Sequence, residues 1–179
     1  MRIAQDEWIT VDASAHEFAF GNMSAPEQRH LRNALGCFPT GVAVITTSDE
    51  DGALYGVTVS SFNSVSLDPP IVLWSQNLAA PSHGAFRRSL YFGVSVLGRH
   101  QRDLATQFAR PALNKFEGVD YVSTPEGVPL LDDVAAHFIC RNDFRSFGGD
   151  HAVFFGSVMR FGYSENVAPL IFSRGTFLE

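Results

Sequence analysis

The residues best suited to chemistry crowd into two stretches. The first is Gly56-Val57-Thr58-Val59-Ser60-Ser61-Phe62-Asn63-Ser64-Val65-Ser66-Leu67-Asp68-Pro69-Pro70, where four serines and a threonine gather at the end of an otherwise apolar strand. Consecutive hydroxyls and amide donors at a strand end can surround a phosphate, or meet the polar edge of a planar heterocycle that alternates donors and acceptors. Any one of these serines reads first as a turn or solvent-facing hydroxyl, and only the cluster is a signal. Further on, Ser75-Gln76-Asn77 closes the next strand, and Pro81-Ser82-His83 opens a short helix whose first amides and dipole favour an anion. Arg87 and Arg88 share that helix; they are within reach of a diphosphate on one reading and form a solvated face on the other.

The second stretch is Gly148-Gly149-Asp150-His151. Two glycines permit a sharp turn, an acid follows, and the histidine stands where the next strand begins, so a hairpin tip would carry the imidazole into a cleft. An aspartate beside a histidine can orient the ring toward a nicotinamide, a substrate or a proton path, although Gly-Gly-Asp is also an ordinary turn sequence and spacing alone favours the turn. His16, His30, His83, His100 and His137 show no HxH or HExxH spacing, so no metal centre is expected. GxGxxG, Walker and GxSxG motifs are absent from the sequence. That argues against a Rossmann dinucleotide site, a P-loop triphosphatase and an α/β-hydrolase, and any redox cofactor must be held in another way. Cys37 and Cys140 lie far apart without a CxxC and read as two buried thiols acting as small hydrophobes.

These residues need a scaffold to position them. Residues 1–23 carry Trp8, Phe18 and Phe20 without a sustained period and read as an arm that must dock to be ordered, followed by one domain over residues 24–179. Ser24-Ala25-Pro26-Glu27 is a capping-box sequence; Leu31, Ala34, Leu35 and Phe38 follow at helical spacing until Pro39 stops the helix. Strands are expected over 42–47 and 55–62, joined by an Asp49-Glu50-Asp51-Gly52 hairpin, and over 71–74, where Trp74 reads as packing. A helix at 81–88, a strand at 91–97 and a helix at 99–109 come next, then strands at 134–144, 152–163 and 170–177. Most strands follow one another without a helix in every crossover, so the fold expected is mainly β with short helices, an antiparallel barrel of Greek-key type rather than a doubly wound parallel sheet. Sixteen phenylalanines and fifteen glycines fit tightly turned, aromatic-packed sheet.

A chain of 179 residues with 45% hydrophobic and 18% charged residues suits one soluble globular domain, long enough to fold without a metal or disulfide staple. The net charge is -6, and Lys115 is the only lysine, which argues against a nucleic-acid footprint. No apolar run approaches the roughly 20 residues that span a bilayer, and acids stand near the amino terminus where a signal peptide carries cations, so the cytoplasm is expected and a membrane is not.

Taken in order, Phe38-Pro39-Thr40-Gly41-Val42, Gly56 to Phe62 with Ser64 to Pro70, Gly149-Asp150-His151, and Pro169-Leu170-Ile171-Phe172 with Arg174-Gly175 resemble the flavin reductase family. These are the short-chain NAD(P)H:flavin oxidoreductases that supply reduced flavin to two-component monooxygenases. The match runs from about Leu31 to the carboxyl terminus, and its specificity lies in the combination. The resemblance implies an FMN-binding split β-barrel, a homodimer with flavin near the subunit interface, FMN or FAD as the flavin, NADH or NADPH as the donor, and an oxygenase partner. It also implies that Thr58, Val59, Ser60, Ser61 and Ser64 meet the isoalloxazine and ribityl parts, and that Ser75 and Ser82 approach the phosphate. On the same basis Lys115 beside Phe116 lies on a loop reaching the phosphate or adenylate end, and His151 stands beside the nicotinamide. The implied reaction is hydride transfer from nicotinamide C4 to flavin N5, with the protein supplying stacking geometry and electrostatics. Ser95, where the family generally has asparagine, and Ser173, before the Arg-Gly pair, depart from the pattern. The runner-up is a flavin-binding barrel without nicotinamide turnover, a store or electron-transfer protein; a barrel carrying an apolar ligand stands third.

Overall fold

The structure, a computed structural model, describes residues 23–112 and 114–178. The arm expected over residues 1–23 therefore lies almost wholly outside the described residues. The first element is α1 (Ala25–Leu35), which opens with the capping box read from the sequence: the Ser24 N–H and hydroxyl both donate to Glu27 Oε2, at 2.7 and 2.6 Å. This helix buries no residue, and its apolar stripe of Leu31 and Leu35 stays exposed together with Phe38. That corrects the expectation of two buried thiols: Cys37, at the end of a helix that packs none of its face, is exposed, and only Cys140 is buried. Burial, with Asp143 second, pushes the Cys140 thiol up to about 12.

The chain continues through β1 (Thr40–Gly41), β2 (Ala43–Ser48), β3 (Leu54–Val59), β4 (Asn63–Leu67), β5 (Pro70–Asn77), α2 (His83–Arg88), β6 (Tyr91–Val96) and α3 (Arg102–Ala109). It ends with β7 (Tyr121–Ser123), β8 (Pro129–Leu131), β9 (Ala136–Gly148), β10 (His151–Tyr163), β11 (Ile171–Ser173) and β12 (Thr176–Leu178). The Asp49–Gly52 hairpin forms as read: Asp49 Oδ1 accepts from the N–H groups of Asp51 and Ala53, and Gly52 sits at φ +80°. The single strand expected over 170–177 is instead the hairpin β11–β12. Arg174 and Gly175 stand at φ 49° and 82°, the two successive left-handed residues of a tight primed turn.

Seven strands form one sheet in the order β3-β2-β6-β9-β10-β5-β4, and every ladder in it is antiparallel. Strands β5, β6, β9 and β10 lie in the spatial order β6-β9-β10-β5, which is a Greek key. β3 and β4 occupy opposite edges, yet only residues 60–62 separate them in the chain. A flat sheet of this width would hold its edges about 29 Å apart, whereas the link reaches about 14 Å when fully extended. The sheet must therefore roll up on itself, and no ladder pairs β3 with β4 among the described residues.

The inner face of the roll is aromatic. Trp74 is fully buried, stacked on Phe154 with ring centroids 4.5 Å apart and edged by Phe86 and Phe92. A second core unites Val42, Val44 and Leu97 with Phe108 of α3 and Leu170. Gly156 on β10 gives the first core room: a Cβ there would stand 2.6 Å from Phe92 Cζ and 2.8 Å from the Arg141 carbonyl oxygen, while one at Gly148 meets nothing within 4 Å. Gly156→Ala should lower unfolding stability by about 1–3 kcal/mol. Gly148→Ala should stay within about 0.5 kcal/mol of the wild type in the same urea titration.

Candidate functional site

β5 and β10 form the ribbon on which the site is built, in register His151↔Asn77, Val153↔Ser75 and Phe155↔Leu73. Alternation divides its residues: Val72, Trp74 and Gln76 point inward with Ala152 and Phe154, while Ser75 and Asn77 share the outer face with His151. β5 also outlasts its other neighbour, since the β4 ladder ends at Asn63↔Leu73. Beyond that point the outward backbone groups of Ser75 need a partner, and Ser61 supplies it. Its Oγ accepts from the Ser75 N–H at 2.9 Å and donates to the Ser75 carbonyl at 3.2 Å. One side chain thus replaces a missing strand at the seam of the rolled sheet.

His151 is positioned through two turns clipped together. Asp150 Oδ1 lies 2.7 Å from His151 Nδ1, and Asn77 Nδ2 donates to Asp150 Oδ2 at 3.0 Å. Asn77 Oδ1 accepts from the Ala79 N–H, and the Leu78 N–H donates to the Asp150 carbonyl at 2.9 Å. Gly149, at φ +57°, makes the turn between β9 and β10. The hydrogen bond from His151 holds the Asp150 carboxyl below its ordinary range, with the imidazole's charge next in effect. An ionised carboxylate only accepts, so Nδ1 carries the proton of this contact and Nε2 stands outside it. The turn reading of Gly-Gly-Asp-His is realised, and within it the acid is bonded to the imidazole.

Thr58, Val59 and Ser60 line a cleft of about 330 Å³ whose other walls include Val42, Ala105, Phe172 and Phe177. Thr58 Oγ1 donates to the Ala105 carbonyl at 2.6 Å and so ties β3 to α3. Apolar walls with a hydroxyl edge at Ser60 fit the donor set a planar, partly polar aromatic ring demands. Ser64 sits on exposed β4, its N–H bonded to Asn63 Oδ1. Ser82 lies at the head of α2, where its Oγ accepts from Gln76 Nε2 at 2.9 Å. Lys115 Nζ donates to the carbonyls of Gly56 and Phe108 at 3.1 and 2.8 Å, and burial draws this amine below its ordinary value. Phe116 sets its ring against Phe108 and Tyr121, so the Lys115–Phe116 pair braces β3 against α3. The two departures from the family pattern have structural duties: Ser95 Oγ accepts from the Leu131 N–H, and Ser173 Oγ donates to the Gly36 carbonyl.

Sequence reasoning missed Gln76 and Asn77 as organising residues, although both stood inside a stretch it singled out. It also missed Ala105 and Phe177 as cleft walls, which only the docking of α3 and of the β11–β12 hairpin brings to β3. Nothing in the local sequence signals that contact.

Residues 35–179 match the family described as flavin reductase like domain. The chain is 41% identical to the FMN reductase (NADH) SmoA of Agrobacterium fabrum over 83% of its own length and 84% of that protein's. It is 38% identical to the reductase subunit HsaB of a flavin-dependent monooxygenase of Rhodococcus jostii, over 86% of this chain and 78% of that one. The solved NADH:FAD oxidoreductase SgcE6 of Streptomyces globisporus, in complex with NAD and FAD fragments, superimposes with a TM-score of 0.82 at 35% identity, covering 88% of this chain and 94% of that one. Some relatives are longer, and the chain spans 48% to 65% of their length. The rolled antiparallel sheet with its hydroxyl-edged cleft is thus the fold of a flavin oxidoreductase. The chain belongs to the flavin reductase-like family, and the relatives it matches include an FMN reductase (NADH) and an NADH:FAD oxidoreductase.

His83, which follows Ser82, has a buried Nδ1 without a hydrogen-bond partner among the described residues, and its ring lies against Phe154. Burial lowers its pKa from 6.5, with repulsion from Arg87 and Arg145 adding to the shift. Just below 6.5 the unfolded chain binds a proton that the native state refuses, so this group's contribution to stability is present at neutral pH and is lost as pH falls. Urea titrations at about pH 7 and about pH 5 should therefore show a smaller acid-induced loss of stability for His83→Phe than for the wild type.

Proposed function

We propose that the chain is an NAD(P)H-dependent flavin reductase that reduces FMN or FAD and passes the reduced flavin to the oxygenase component of a two-component monooxygenase. The observation that carries this reading is the Asn77–Asp150–His151 chain of hydrogen bonds on the same strand end as the Ser61–Ser75 clasp. When bound, the flavin supplies a ring that takes the hydride at N5 from nicotinamide C4. The chain's own residues provide place and polarity. Val59, Ser60 and Ser64 present amides and hydroxyls to the ring and ribityl chain, with Thr58 and Ser61 contributing backbone because their hydroxyls already serve Ala105 and Ser75. Val42, Phe172 and Phe177 keep water from that edge. Ser75 and Ser82 approach the phosphate. Lys115 and Phe116 act from behind, by fixing β3 and α3 at the spacing the cleft requires. His151, its Nδ1 held by Asp150, turns Nε2 toward the nicotinamide, where it orients the carboxamide or holds a proton.

The same reading makes the protein a homodimer working in the cytoplasm, where its nicotinamide donor is regenerated. Leu35 and Phe38 are 66% and 74% exposed, and Phe147, Phe161 and Tyr163 are exposed on β9 and β10, more apolar surface than a lone domain leaves in water. Gel filtration with light scattering should return twice the chain mass; a monomer would remove this part of the reading.

Mixing the protein with NADH or NADPH and free FMN or FAD should bleach the visible flavin absorbance catalytically. Flavin binding without bleaching by either donor would favour the store or electron-transfer alternative. His151→Ala should raise the apparent KM for the nicotinamide about tenfold, the equivalent of one lost charge-assisted hydrogen bond, while leaving flavin affinity nearly intact. Loss of flavin binding in that variant would remove His151 from the nicotinamide side.

A further inference from the structure

One face of α3 walls the cleft against Thr58, Val59 and Ser60, with Ala105, Thr106, Ala109 and Arg110 following at helical spacing. The two threonines of the lining spend their hydroxyls on backbone: Thr58 Oγ1 donates to the Ala105 carbonyl, and Thr106 Oγ1 donates to the Arg102 carbonyl at 3.0 Å. Ser60 and Arg110 are the polar side chains of the lining left uncommitted among the described residues, and Arg110 is its one charged residue. Arg110 is exposed and joins no ion pair among the described residues. The end of its own helix does not occupy it either. α3 stops at Ala109, and Lys115 Nζ already holds the Phe108 carbonyl at 2.8 Å, where a basic side chain near a helix end would otherwise settle.

From this arrangement we infer that Arg110 is a specificity-determining residue that reads the redox state of the flavin ring, shifting the preference of the cleft toward the reduced form. The inference rests on the reading of this cleft as the place of the ring. The oxidised ring is neutral. Hydride transfer breaks the C4–H bond of the nicotinamide and forms N5–H on the flavin; the electron pair that travels with the hydrogen leaves the flavin ring one negative charge and the nicotinamide ring one positive charge. A guanidinium keeps its charge at every working pH, so its attraction is switched on by the reduction of the ring and not by its arrival. Val42, Phe172 and Phe177 wall the same cleft, and apolar walls limit the screening of a charge beside them. By linkage, a residue that tightens the reduced form relative to the oxidised one raises the reduction potential of the bound flavin by the same free energy. Arg110 thereby sets how firmly the cleft keeps its product before an acceptor takes it.

The test measures Kd for oxidised riboflavin and for riboflavin reduced with dithionite under anaerobic conditions, in the full-length wild type, Arg110→Gln and Arg110→Lys, and repeats both titrations with FMN. Riboflavin carries no phosphate, so it isolates the ring. Arg110→Gln should weaken the reduced form about three- to tenfold and leave the oxidised form unchanged, the range between an exposed ion pair and a charge-assisted hydrogen bond. The midpoint potential of bound riboflavin should fall by the equivalent, about 14 to 30 mV for a two-electron couple. Arg110→Lys should keep most of the wild-type ratio of the two affinities, because it keeps the charge. An unchanged ratio in Arg110→Gln would overturn the proposal, and so would equal weakening of both redox forms, which marks a packing fault at the end of α3. Weaker FMN binding in both redox forms with riboflavin unaffected would also overturn it, by placing Arg110 at the phosphate. A wild type that binds neither flavin would remove the reading of the cleft itself and the proposal with it; flavin binding with the ratio unmoved removes only the role of Arg110.

Discussion

A three-residue connection between the two edges of a seven-stranded sheet is the constraint from which the architecture follows. Residues 60–62 cannot span the width of a flat sheet, so β3 and β4 are drawn toward each other and the sheet rolls. The edges nevertheless stop short of pairing, and the strand facing the seam, β5, is left with backbone groups that no ladder satisfies. Ser61 satisfies them from within the connection itself. The residues that force the roll are thus the residues that finish its seam, and a seam finished by side chains rather than by a ladder leaves amides and hydroxyls accessible at a defined place.

Rigidity reaches this seam from the inner face. Trp74 and Gln76 alternate with Ser75 and Asn77 along one strand, so the stack of Trp74 on Phe154 that locks β5 to β10 also fixes where Ser75 and His151 stand. Functional groups held this way need few contacts of their own, because their backbone is immobilised by packing on the opposite side. Asn77 adds the remaining specification, by bonding one turn to the next through Asp150. Orientation of an exposed imidazole, 44% accessible at the side chain, is thereby traceable in part to a buried tryptophan on the opposite face of the same ribbon.

How far this could be read in advance depends on the range of the interaction concerned. The capping box at Ser24, the Asp49–Gly52 hairpin and the Gly-Gly-Asp turn are set by neighbours within four residues, and the sequence states them openly. The barrel-like antiparallel class was legible from strand spacing, but the split of residues 170–177 into two strands depended on Arg174 adopting a left-handed backbone that nothing in its residue type requires. Cys37 was misread because an unpaired cysteine is read by residue type as a small buried hydrophobe, whereas burial is decided by what the rest of the chain places beside it. The hydroxyl cluster was found, but its division of labour was not. Thr58 and Ser61 turn their hydroxyls to Ala105 and Ser75, partners 47 and 14 positions away, and only Ser60 keeps an exposed side chain at the cleft edge.

That division follows from the chemistry being served. Hydride transfer between two cofactors needs no nucleophile and no metal from the protein, only two planar groups held at a set distance in a site of suitable polarity. A chain selected for that task gains more from hydroxyls that fix the scaffold than from hydroxyls that react. The same logic accounts for Lys115. A lysine with two carbonyls as partners and a depressed pKa is poorly used as a free charge, but it holds the carbonyls of Gly56 and Phe108, and so β3 and α3, at one spacing. A site of this kind is defined less by which side chains touch the ligand than by which ones forbid the backbone to move, and in this chain those residues are Ser61, Trp74, Asn77 and Lys115.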